Sequence, residues 1–111
     1  MSNNDFFTVA YKILSYLKYC YENGIKPDPD ILNADMFNIS QVQFGNTLKM
    51  LSEHGYISGL KFHSTNLNGT VVGGIQNAQI TIEGLQYLAE NSMMKKAYNI
   101  FKEIRDWLPG F

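Results

Sequence analysis

Ser40-Gln41-Val42-Gln43-Phe44-Gly45-Asn46-Thr47-Leu48-Lys49-Met50-Leu51-Ser52-Glu53-His54-Gly55-Tyr56-Ile57-Ser58-Gly59-Leu60-Lys61-Phe62 contains a helix, both of its ends and the strand that leaves it. Ser40 and Gln43 have the spacing of a capping box, in which hydroxyl and amide satisfy each other's backbone donors. Phe44, Leu48 and Leu51 follow at i, i+4 and i+7, which places them on one helical face. Gly55 supplies the left-handed residue on which helices end. Residues 56–62 are then rich in aromatic and branched side chains and read as a strand. The stretch predicts a capped helix that turns straight into a sheet.

Upstream, Asp5 can cap a helix running to about Glu22 and ended by Asn23-Gly24. Thr8, Lys12, Ser15 and Lys18 form one narrow polar stripe on it, and nearly every other position is apolar or aromatic. A surface helix needs only one apolar stripe, so this one is expected to be covered on more than one side. Lys26-Pro27-Asp28-Pro29-Asp30 reads as a turn, with Asp28 as N-cap and Pro29 opening a short second helix to about Met36. Phe37-Asn38-Ile39 is a tight connection back to Ser40.

Downstream, Asn66, Asn68-Gly69 and Gly73-Gly74 mark a turn-rich excursion, and residues 78–82 read as a returning strand. Thr81 can cap a short helix carrying Leu85 and Leu88. Ser92 opens a final helix with Met93, Met94, Ala97, Tyr98, Phe101, Ile104, Trp107 and Leu108, stopped by Pro109-Gly110. Helix, short helix, tight turn, capped helix and hairpin is the order of an α+β winged helix-turn-helix, here with extra N- and C-terminal helices. Residues 1–111 are expected to form a single domain.

Composition narrows the function classes. With 111 residues, 45% hydrophobic and 17% charged, the chain can bury enough apolar area to offset its ordering entropy, which excludes disorder. A net charge of -1 excludes a globally basic binder of polyanions. Cys20 is the one cysteine, so neither an internal disulfide nor a thiolate-rich metal site is available. The apolar run 6–21 is shorter than the ~20 residues of a membrane helix and is interrupted by Lys12 and Lys18. No signal peptide is read at the N-terminus, and a reducing cytoplasmic setting without membrane association is expected.

Three blocks carry a resemblance: Gly55-Tyr56-Ile57-Ser58-Gly59-Leu60, then Ile80-Thr81-Ile82-Glu83-Gly84-Leu85-Gln86-Tyr87-Leu88, then Glu90-Asn91-Ser92-Met93-Met94-Lys95-Lys96-Ala97-Tyr98. In these the chain resembles the YjcQ family, small winged-helix-like proteins of Firmicutes and their phages and prophages, from about Tyr11 to Trp107. The last block is the specific one, since Gly-Tyr-Ile and Ile-Thr-x-x-Gly recur in many winged-helix proteins. The resemblance implies the fold and a phage-related origin. It assigns no catalytic or ligand residue.

Gln41, Gln43, Asn46, Thr47 and Lys49 lie off the Phe44–Leu48–Leu51 face. Glutamine and asparagine amides can pair with adenine N6 and N7, and a lysine can reach guanine or phosphate. With Lys61 and His63 on the hairpin, these residues are the candidate contacts to double-stranded DNA. Segment 40–82 holds only Lys49 and Lys61 against Glu53, so binding by one chain is expected to be weak and salt-sensitive. The alternative is a protein–protein interaction module on the same scaffold. A homodimer is expected through the first and last helices, by Phe6, Phe7, Tyr11, Met94, Tyr98, Phe101 and Trp107. Acidic residues are scattered and His54 and His63 stand on different elements, so no catalytic residue, metal site or cofactor is expected.

Overall fold

The computed structural model describes residues 5–65 and 69–92. In chain order these form α1 (Phe6–Asn23), a 3₁₀ turn (Asp35–Phe37), α2 (Gln41–Glu53), β1 (Ile57–Ser58), β2 (Lys61–Thr65), β3 (Gly69–Gly73), a second 3₁₀ turn (Ile75–Asn77), β4 (Gln79–Ile80) and α3 (Ile82–Glu90). The fold is α+β, with the helices gathered on two small antiparallel sheets.

Helix α1 is the centre of the core. Asp5 caps it by accepting the Thr8 N–H at 2.9 Å. At the far end the N–H groups of Gly24 and Ile25 return to the carbonyls of Tyr21 and Cys20, the two-bond closure of a Schellman motif. Between the caps it is buried almost all round, and α2, α3 and β4 pack on it. Of its polar stripe, Thr8 and Lys12 are buried, Ser15 is half-buried and Lys18 is exposed, 4.0 Å from Glu22. Among the described residues no helix is long and apolar enough to cross a membrane.

The expected second helix is cut to a single turn. Asp28 does act as a cap, its carboxylate accepting the Asp30 N–H at 2.9 Å, and Leu32 closes one turn back onto the Asp28 carbonyl. Asn33 then stops propagation. Its amide donates to the Pro29 carbonyl at 2.9 Å, while its side-chain oxygen accepts the Met36 N–H at 3.0 Å. A side chain that takes up the backbone's own partners competes with the helix. The chain restarts as the 3₁₀ turn and reaches Ser40 through Asn38 in the left-handed conformation. Helix α2 is therefore the helix that sequence patterning counts third.

The strand expected over residues 56–62 is broken into β1 and β2. Gly59 sits between them at φ 89°, and a Cβ there would collide with the carbonyl of Asn77. Only glycine tolerates both the conformation and the approach. On the other side, β1 pairs with β4 (Ile57 with Ile80, Ser58 with Gln79), whereas β2 pairs with β3 from Lys61–Gly73 to Thr65–Gly69. The excursion 64–77 is thus partly strand, because β3 lies within it. The returning strand is shorter than residues 78–82, since Thr81 already caps α3 by accepting the Gly84 N–H at 3.1 Å. The expected last helix beyond Ser92 lies outside the described residues.

Candidate nucleic-acid interface

Helix α2 begins as its sequence requires. The Ser40 hydroxyl accepts the Gln43 N–H at 3.0 Å, and Phe44 closes the first turn onto the Ser40 carbonyl. Phe44, Leu48 and Leu51 are buried, and Phe44 stacks on Phe37 with centroids 6.0 Å apart. At its end Gly55, at φ 79°, bonds back to Ser52 and Tyr56 bonds back to Leu51. The paired closure turns the chain directly into β1. Thr81 holds this corner from the other side, its hydroxyl donating to the Gly55 carbonyl and its N–H to the Tyr56 carbonyl at 3.1 Å.

The core supports one side of α2 and the hairpin a second. Gly45 lies against the backbone of Thr70 in β3, and Val42 approaches Gly69. What remains open is an arc about 100° wide that carries Val42, Asn46, Lys49, Met50 and Glu53. Val42 is 48% and Met50 46% exposed. Asn46 and Glu53 are exposed and Lys49 is half-buried, while Gln41 is exposed at the N-terminal end of the helix.

Of the expected contact residues, α2 brings Asn46 and Lys49 onto the arc, while Gln41 is exposed at the N-terminal end of the helix and off the arc. Gln43 is half-buried at the margin. Thr47 departs from the expectation: it is 2% exposed, and its hydroxyl donates to the Gln43 carbonyl at 2.7 Å, so it faces the core. Val42, not singled out in the sequence, is on the arc; its place four residues before Asn46 and off the Phe44–Leu48–Leu51 face was the available signal.

On the hairpin, Lys61 and His63 are exposed. Phe62 and Val72, which pair with each other, pack on the core. Strand pleating sends successive side chains to opposite faces, so Lys61, His63 and Val71 occupy the outer face of the hairpin. Thr70, which meets α2, shares the inner face with Phe62 and Val72. The helix and hairpin candidates therefore stand on two adjoining surfaces rather than one continuous face.

The first-helix candidates for a partner chain divide in the same way. Phe7 is 60% exposed with Phe6 edge-on against it at 5.3 Å. Tyr11 is buried within the chain and is not available to a partner, a correction to the sequence expectation. Met94, Tyr98, Phe101 and Trp107 lie outside the described residues. Among the described residues, no group of three or more His, Cys, Asp or Glu side chains comes together as a metal site would require.

The family model described as YjcQ protein matches residues 11–107. The uncharacterized protein YjcQ of Bacillus subtilis (strain 168) is 30% identical over 92 residues, which covers 83% of this chain and 94% of that protein. No solved structure matches the chain.

Proposed function

The chain belongs to the YjcQ family, and from that premise we propose that it is a winged-helix nucleic-acid-binding protein, a small phage or prophage transcriptional regulator acting in the cytoplasm. In this reading α2 enters the major groove and the β2–β3 hairpin is the wing. The observation that carries it is the open arc of α2, with Asn46 exposed to a partner, Lys49 half-buried beside it, Gln41 exposed at the N-terminal end of the helix, and core and hairpin bracing the other sides. Asparagine and glutamine amides are suited to base edges, whereas Lys49 and Lys61 are suited to phosphates. Two lysines neutralise few phosphates, so a homodimer is part of the proposal. It is a binding protein, with no reaction assigned to it.

A mobility-shift series tests the proposal. Duplex DNA is expected to bind at low salt, to weaken as salt rises, and to be lost in the Lys49→Glu/Lys61→Glu variant. Absence of binding at low salt, or binding unchanged in that variant, overturns it. The exposure of Val42, Met50 and Val71 favours a second reading, a protein-interaction module on the same surface. That reading takes over if duplex binding is absent.

A further inference from the structure

We infer that α2 reads A·T base pairs, with Asn46 on adenine and Val42 against the thymine methyl. The inference rests on the DNA-binding reading and names the sequence class that the arc would prefer. Val42 and Asn46 are one helical turn apart, about 6 Å along the axis. Base pairs rise about 3.4 Å, so the two side chains can address base pairs about two steps apart from one helix.

Their chemistry points one way. An asparagine amide matches adenine N6 and N7, and an exposed aliphatic side chain matches the C5-methyl that only thymine presents in the major groove. Gln41 adds a second amide at the N-terminal end, the part of such helices that meets base edges. The residues that read G·C are absent or badly placed. No arginine stands on the arc, and Lys49, the one guanine donor there, is half-buried. Glu53, which could accept from cytosine, is the last residue of the helix. Val42 approaches Gly69 and is still 48% exposed beside an exposed asparagine, and contact with a thymine methyl would use the apolar surface it leaves open.

Three duplexes of equal length decide the matter at low salt: alternating A·T, alternating G·C, and the A·T duplex with every thymine replaced by deoxyuracil. The A·T duplex is expected to bind at least about tenfold tighter than G·C, with the deoxyuracil duplex between them. Val42→Ser should erase the difference between thymine and deoxyuracil while preserving A·T over G·C. Asn46→Ala should reduce the preference for A·T over G·C. Both positions are exposed, so both variants should fold, as circular dichroism would verify. Equal binding of A·T and G·C, or of thymine and deoxyuracil duplexes, overturns the base preference and leaves DNA binding standing. Failure of all three duplexes to bind overturns both.

Discussion

Gly45 of α2 lies directly against the backbone of Thr70 in β3, where a Cβ on residue 45 would come within 2.6 Å of the Thr70 carbonyl oxygen. Helix and hairpin thus meet without an intervening side chain, and the open arc of α2 is fixed relative to the strands. A glycine inside a helix ordinarily costs about 1 kcal/mol relative to alanine, so replacement by alanine should stabilise α2 taken alone. Here the carbonyl must move. Gly45→Ala is expected to destabilise the protein by about 1–3 kcal/mol, the usual cost of overpacking. Gly73→Ala is the control, because its Cβ would find only the Lys61 carbonyl at 3.9 Å. Chemical denaturation of the two variants checks this, and a stabilised Gly45→Ala would mean that the hairpin is not seated on α2.

A second prediction concerns alkaline pH. The Tyr16 phenol oxygen accepts the Asp28 N–H at 2.9 Å, tying the first turn after α1 to the core. Burial pushes the Tyr16 pKa well above its ordinary 10.0, and raises those of Tyr11 and Tyr87 in the same direction. The unfolded chain therefore releases these protons first as pH rises. Stability from these groups is complete below about pH 10 and is lost as pH climbs through the higher folded values. Tyr16→Phe should lower stability near neutrality by about 1 kcal/mol through the lost acceptor, yet show a shallower alkaline decline. Equal slopes for the two proteins above pH 10 would contradict this.

Thr81 supports a third. Its hydroxyl accepts from the Gly84 N–H and donates to the Gly55 carbonyl, so one side chain caps α3 and holds the end of α2. Thr81→Val preserves shape and removes both bonds, and a loss of about 2 kcal/mol is expected from cap and carbonyl together. Thr81→Ser should recover most of it. If valine and serine are equally tolerated in thermal melts, the corner is held by packing alone.

These elements mark what sequence could and could not reveal. Asp5, Ser40 and Thr81 were legible as caps because capping is local: a short polar side chain meets an N–H three residues on. Phe44, Leu48 and Leu51 were legible because helical period alone sets their face. Asn33 was not, since its effect depends on where its amide points rather than on propensity. The break at Gly59 depends on Asn77, eighteen positions away, and the burial of Thr47 on the exact roll of α2 against the core. At the candidate interface, residue type could be read in advance, but not the division between helix arc and outer hairpin face. That division follows from the pairing of Phe62 with Val72 across the hairpin and from the long-range contact of Gly45 with Thr70.

The last prediction concerns the partner chain. Phe7 is 60% exposed near the start of α1, and Phe6 packs edge-on against it, so a bulky aromatic pair stands at a helix end where one ring has nothing within the described residues to bury it fully. A two-fold contact places the same patch on both subunits, and doubling the chain doubles the lysines available to phosphate. The proposed homodimer should therefore appear by light scattering at about tens of micromolar, because dimer content follows concentration by mass action. Phe7→Glu should shift the population to monomer without lowering helix content, since the side chain is outside the core. Duplex affinity should fall with it and become less salt-dependent, as fewer phosphates are neutralised per bound particle. A wild-type protein that stays monomeric over that range removes the dimer. A dimer that Phe7→Glu leaves intact removes this end of α1 from the contact.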